Sequence, residues 1–131
     1  MIAVGWVTKN RVNSPIFPNT YCDVVYEAEM TESWKTKQYS NIQPTERIYY
    51  PKRDRCQFSW YCDGLPDEIP SYDRDVYNVA LLLSASIIRS NTILDNTYGA
   101  THYHADYVTP KWSKTFKEVT KIGRHIFYRF Q

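Results

Sequence analysis

An α+β domain, helices first and then a small antiparallel sheet near the C-terminus, is what this sequence predicts. Three observations carry the expectation. Apolar residues recur at helical spacing over residues 2–10 and again, more strongly, over residues 74–89. The C-terminal stretch switches to short strand-like runs around Gly123-Arg124. A length of 131 residues suits one domain that buries a core without metal or disulfide staples.

The elements follow in order. Ile2, Ala3, Trp6, Val7 and Asn10 share a helical face, and nothing there alternates with period two. No capping residue precedes this helix, although four N–H groups at a helix start need partners, and Asn13-Ser14-Pro15 should end it. Thr20 and Asp23 have capping-box spacing, so a helix of two or three turns is expected through Val24, Val25 and Tyr26. Residues 30–55 read as a long polar surface segment with one strand at Arg47-Ile48-Tyr49-Tyr50. Cys56 to Gly64 is dense in aromatics and ends in a turn, with Ser59 a small residue at its tightest point. Ser71 or Asp73 caps the longest helix, residues 74–89. Val76, Val79, Ala80, Leu83 and Ile87 form one face, which Leu81, Leu82 and Ile88 widen, so this helix is expected to be buried nearly all round. Asn91 to Asn96 is a loop, Thr101 to His104 a strand, and Pro110-Lys111-Trp112 a turn. Glu118–Ile122 and His125–Phe130 are strands joined by a type II′ hairpin with Gly123 first.

Composition excludes several classes. With 16 Lys and Arg against 14 Asp and Glu, the formal charge of +2 is too balanced for a dedicated nucleic-acid binder. Only 4 glycines argue against a glycine-looped nucleotide site. The apolar run from Val79 to Ile88 is broken by serines and falls short of the ~20 residues a membrane span needs. No secretory leader is visible, so a soluble monomer is expected, with no cofactor and no membrane insertion. The three cysteines, Cys22, Cys56 and Cys62, are expected to be reduced and half-buried, with Cys22 packed in the core; Cys56 and Cys62 could bridge only if the chain between them turns back. The basic run Lys111, Lys114, Lys117, Lys121, Arg124 and Arg129 reads as a solvated sheet face.

The distinctive quantity is an aromatic content of 16%, with 12 Tyr, 5 Phe and 4 Trp. Aromatic rings beside hydrogen-bonding side chains suit sugars, whose apolar faces pack on rings while hydroxyls find polar partners. Gln57, Ser59, Trp60, Asp63, His102, Tyr103 and His104 are therefore the candidate substrate-binding residues. His102 and His104, two apart on a strand, face one side, and with Asp106 or His125 they could hold zinc for amide hydrolysis, although no spacing fixes a third ligand. Ser59 as a triad serine and Cys22 as a nucleophile have no supporting spacing.

Three stretches taken together resemble one family. The first runs from Ile2-Ala3-Val4-Gly5-Trp6-Val7 through Asn10-Arg11-Val12 and Phe17-Pro18-Asn19-Thr20 to Cys22-Asp23-Val24-Val25-Tyr26. The second is Gln57-Phe58-Ser59-Trp60 with Cys62-Asp63-Gly64. The third comprises Ala100 to Ala105, Val108, Pro110, Trp112 and Ile122-Gly123-Arg124-His125-Ile126-Phe127-Tyr128. In order and spacing they are similar to the SleB/CwlJ cell wall hydrolases.

That resemblance implies a lysozyme-like, lytic-transglycosylase-like domain over residues 1–131 with peptidoglycan as its partner. It implies glycan cleavage in which a carboxylic acid protonates the glycosidic oxygen. The sugar's own 6-hydroxyl then closes the ring, so no second carboxylate is needed. The family's glutamate, in a motif like E-A-x-G-E ahead of the Asn-Arg-Val helix, has no counterpart in the chain, so the catalytic residue is left unassigned and the domain is expected to lack its N-terminal catalytic segment. Glu27, Glu29 and Glu32 do not match that motif. The rival readings are a zinc-dependent N-acetylmuramoyl-L-alanine amidase and a non-catalytic peptidoglycan-binding relative. A phage or bacterial origin, with action on the wall after release, is the expected setting.

Overall fold

The computed structural model describes residues 1–89 and 92–130. In chain order these form α1 (Ile2–Val12), α2 (Tyr21–Val25), β1 (Ala28–Glu32), α3 (Trp34–Lys37), β2 (Tyr49–Cys56), α4 (Arg74–Arg89), β3 (His102–Ala105), β4 (Lys117–Ile122) and β5 (His125–Arg129), with single 3-10 turns between several of them. The chain divides into two compact units, Met1–Val24 with Ile69–Gln131, and Val25–Glu68.

In the first unit, α1 packs on α4, and β3, β5 and β4 form a three-stranded antiparallel sheet in that spatial order. Phe127 of β5 is buried with Ala3 and Val7 of α1 and with Ala100 just before β3. Tyr103, Val119 and Ile122 pack against this cluster. The β4–β5 hairpin turns at Gly123 with φ of 58°, and among the described residues Arg124 has no positive φ, which is the type II′ pattern that the sequence predicts. Helix α1 runs two residues beyond the expected end and closes on Asn13, whose N–H donates to Arg11 and Lys9 carbonyls. Met1, at its N-cap, makes no side-chain capping bond. Thr20 and Asp23 form the expected cap of α2, with the Asp23 N–H donating to the Thr20 hydroxyl at 3.1 Å, but the helix is only five residues long.

The expectation for α4 is corrected. Only Ile87 is buried; Ala80 and Leu83 are half-buried, and Val76, Val79, Leu81, Leu82 and Ile88 are exposed. The apolar stripe is real, but among the described elements α4 is met chiefly by α1 and by the 3-10 turn Ser71–Asp73 that leads into it. Gly5 of α1 leaves room for the Ile87 side chain of α4: a Cβ there would stand 2.8 Å from Ile87 Cδ1. Part of the expected 91–96 loop, Asn91, lies outside the described residues.

The second unit overturns the reading of residues 30–55 as mostly unstructured. β1 and β2 pair antiparallel, Met30 opposite Pro51 and Glu32 opposite Tyr49, with an irregularity between Ala28 and Met30. Helix α3 between them is capped by Ser33, whose hydroxyl accepts from the Lys35 N–H. Arg47 closes the excursion with a 2.6 Å ion pair to Glu32, which holds that carboxyl below its ordinary range. These strands lack apolar alternation because neither face is deeply buried, so period-two reading had nothing to detect.

The cysteine expectations are also corrected. Cys56 and Cys62 form a disulfide, because the 3-10 turn Ser59–Tyr61 folds the chain back and brings the two Cα atoms to 6.1 Å. Cys22 is free and exposed, not packed in the core.

Candidate functional site: two groups of side chains

The residues selected from sequence fall in two places. His102, Tyr103 and His104 lie on β3 in the first unit, and Gln57, Ser59, Trp60 and Asp63 lie on the disulfide-closed turn of the second.

β3 is fastened to α1 by the Asn10-Arg11 pair. The Asn10 amide donates to Asp95 Oδ2 and to the Ala100 carbonyl, both at 3.0 Å, and Arg11 Nε donates to the Thr101 carbonyl at 2.6 Å. Asp95 organises the approach to the strand: Oδ1 accepts from the Thr97 N–H and hydroxyl, and Oδ2 from the Gly99 N–H. Burial pushes this carboxyl upward, but the hydrogen bonds from Thr97, Asn10 and Gly99 outweigh it and hold the group below its usual value. Sequence reading missed Asp95, although its spacing to Thr97 is that of an Asx turn.

His102 and His104 face the same side of β3, as period two requires, and both meet the Trp112 ring. His102 is surrounded by Phe17, Trp112, Phe116 and Phe130 at centroid distances of 4.5 to 5.7 Å. Burial first, and then the charge of Arg11, lowers its pKa to about 4, so it is neutral at pH 7. His104 is buried; Nδ1 donates to the Ala105 carbonyl at 2.8 Å, and Nε2 pairs with the Tyr128 hydroxyl at 3.0 Å. Tyr103 points to the other face, where it stacks on Phe127 and meets His125 edge-on. Burial raises its phenol pKa.

These contacts do not fit a zinc centre. Both nitrogens of His104 are engaged, and the His102 ring is enclosed by apolar rings. Asp106 is held by Lys121 at 3.1 Å and Arg124 at 3.3 Å. Among the described residues no group of three His, Cys, Asp or Glu stands where a metal ion could bind.

The second group has a different character. Gln57, Ser59 and Trp60 are exposed, while Phe58 and Cys62 are buried beneath them. Tyr26, Trp60 and Tyr61 meet edge-to-face in all three pairings, with centroids 4.9 to 5.9 Å apart. Asp63 Oδ1 accepts from the Leu65 N–H at 2.8 Å, and Gly64 takes the positive φ of 80° that ends the turn. The Gln57 N–H donates to the Glu27 carbonyl at 3.0 Å, which ties the turn to the residue after Tyr26. An open cavity of about 420 Å³ is lined by Glu27, Ala28, Glu29, Arg55, Cys56 and Gln57. Tyr26 and Glu27 were not selected from sequence; the only signal was that Tyr26 closes the Cys22–Tyr26 stretch quoted for the family resemblance.

Aromatic rings flanked by amide and carboxylate groups, on a covalently closed turn, describe a surface for a polar ligand with apolar faces. Comparison with known proteins gives that description a class. The model of the cell wall hydrolase family matches residues 1–128, and the chain belongs to that family. Two solved structures resemble it in fold, both catalytic domains of SleB. One, from Bacillus cereus, is 26% identical with a TM-score of 0.58, covering 98% of this chain and 73% of the other. The second, from Bacillus anthracis and described as a germination-specific lytic transglycosylase, is 27% identical with the same TM-score, covering 98% and 76%. No curated protein matches the sequence. The fold is therefore lysozyme-like, of the SleB type, as the motifs predicted.

Proposed function

We propose that this domain acts on the glycan strands of peptidoglycan, by chemistry of the lytic transglycosylase type. The observation that carries the proposal is the Tyr26–Trp60–Tyr61 ring cluster beside Gln57, Ser59 and Asp63, in a chain of the cell wall hydrolase family. Sugar rings stack on the aromatic side chains, and their hydroxyls bond to Gln57, Ser59 and Asp63. His102 and His104 act one step back, because their rings are spent on packing β3 and on the Tyr128 hydroxyl. Tyr103 supports the same strand from its other face.

Protonation of the glycosidic oxygen needs a carboxylic acid, which the resemblance implies is the glutamate of an E-A-x-G-E motif; no glutamate of residues 1–131 matches that motif, and the acid is left unassigned. The family supports hydrolysis of the wall; the bond cleaved rests on the likeness to a lytic transglycosylase. Purified sacculi test both points. Protein bearing this domain is expected to release anhydro-muramic ends from them and to keep doing so in EDTA. Free stem peptides, or loss of activity in the chelator, would instead establish an amidase. Residues 1–131 are expected to sediment with sacculi, and failure to do so would overturn the glycan reading.

A further inference from the structure

Helix α4 is apolar around most of its circumference and mostly uncovered. Val76, Val79, Leu81, Leu82 and Ile88 are exposed, Leu82 to 70%. A helix that is apolar all round is normally buried, and a contiguous exposed apolar surface on a small domain marks a contact. What the described elements cover is the side that carries Ile87, against Gly5 of α1.

The side turned away from Ile87 has an order that selects its occupant. Asp75, Val79, Leu82, Ser86 and Arg89 follow one another at alternating intervals of four and three residues, so they form one line along the helix. Leu82 stands at the midpoint of that line, with an acid at one end and a base at the other. Asp75 and Arg89 are both exposed, and among the described residues neither takes part in an ion pair. The line is about 21 Å long at the α-helical rise per residue.

Turned end for end about Leu82, this line complements itself. Asp75 of one copy falls opposite Arg89 of the other at both ends, Val79 meets the small Ala85 and Ser86, and Leu82 meets Leu82 on the axis. A two-fold contact makes this demand, since residue i must meet j wherever j meets i. Parallel pairing would set Asp75 against Asp75 and Arg89 against Arg89, so charge selects the antiparallel arrangement. A lipid surface gives no reason for an acid and a base at equal distances from the centre of an apolar line.

We propose that α4 is the contact of a symmetric antiparallel dimer of this chain, centred on Leu82 and closed at each end by Asp75 with Arg89 of the second copy. One helix pair falls in the small class of specific interfaces, below about 1,200 Å², so the dimer forms weakly and dissociates on dilution. Where the protein is concentrated, it replaces the monomer that the sequence predicts. The dimer does not depend on the glycan reading.

Sedimentation equilibrium of residues 1–131 from about 5 μM to about 500 μM is the test, a range that brackets weak association. The wild type should pass from monomer to dimer across it. Asp75→Arg and Arg89→Asp each set like charges together at both ends, and each should weaken dimerisation about tenfold or more. Mixed in equal amounts, these two variants restore both pairs of opposite charge, and so does the double variant Asp75→Arg/Arg89→Asp. Both samples should dimerise within about threefold of wild type. Each reversed charge is unfavourable at its own helix end and the double variant carries both, so its recovery cannot come from a better helix. Leu82→Lys, at a position already in solvent, should stay folded by circular dichroism and remain monomeric throughout. A wild type that is monomeric over the whole range, or a dimer that the single reversals leave within twofold of wild type, overturns the contact. So does a dimer lost in the single variants and recovered in neither the mixture nor the double variant. A monomer that sediments with phosphatidylcholine vesicles assigns the face to lipid instead.

Discussion

His102 shows how packing decides what a side chain can do. Its ring sits among four aromatic rings and its pKa is lowered to about 4, burial being the main cause. The unfolded chain takes up a proton near pH 6.5, whereas the folded chain resists until about pH 4. Between those values the unfolded state binds more protons, so stability rises with pH in that window and falls as pH drops through it. The melting temperature should therefore decline between pH 6.5 and 4, and His102→Leu should flatten that part of the profile. An unchanged slope in the variant would show that His102 does not titrate this way. Asp95 makes the opposite kind of case, a carboxylate held down by its donors. Its contribution is present above pH ~4 and lost below it, as the folded group finally takes up a proton. Asp95→Asn would set amide hydrogens either against the Thr97 donors or against those of Asn10 and Gly99. Urea unfolding at pH 7 should show a loss of about 1–3 kcal/mol.

At the scale of elements, the Cys56–Cys62 loop is short but carries the exposed aromatic turn. Closing a loop of this size contributes about 2 kcal/mol by the chain-entropy model. Reduction should lower unfolding free energy by about that amount and should weaken sedimentation with sacculi, since Trp60 and Tyr61 lie inside the loop. The α1–α4 crossing gives a second test. Gly5→Val adds atoms where even a Cβ stands 2.8 Å from Ile87 Cδ1, and it should destabilise by about 1–3 kcal/mol in the same urea assay. What was legible in the sequence follows the same physics. α1, α4 and the β4–β5 hairpin announce themselves through period and turn residues, which are local signals. β1 does not, and β2 does so only at Tyr49 and Tyr50, inside the strand expected at residues 47–50, because the pairing is polar and the segment joining the strands is long. The bridge was legible only as a possibility, since its formation depends on how Ser59–Tyr61 turns. For the site, Gln57 and Trp60 could be picked out by residue type, but Tyr26 could not. Its place beside Trp60 and Tyr61 depends on how segments distant in sequence fold together, and sequence spacing does not carry that.

Across the whole molecule, apolar character and burial part company at α4. The sequence assigns both Leu82 and Ile87 to a helix buried nearly all round, yet Leu82 is 70% exposed and Ile87 only 2%. Periodicity finds an apolar stripe; which part of it is covered depends on what packs there, here Gly5 of α1 against Ile87, while Ala80 and Leu83 line an open cavity with Val4 and Thr8. The same contrast applies to the aromatics. Phe127 is buried with α1, whereas Trp60 keeps 39% of its surface exposed on the turn. Burial should therefore rank substitutions that sequence ranks equally. Ile87→Ala removes atoms from the packed crossing and should cost about 2–4 kcal/mol. Leu82→Ser removes a side chain already in water and should change unfolding free energy by no more than about 0.5 kcal/mol, while reducing self-association at high concentration. Chemical denaturation of the two variants side by side reads the difference directly. A cost for Leu82→Ser equal to that for Ile87→Ala would mean that the outer side of α4 is covered in solution.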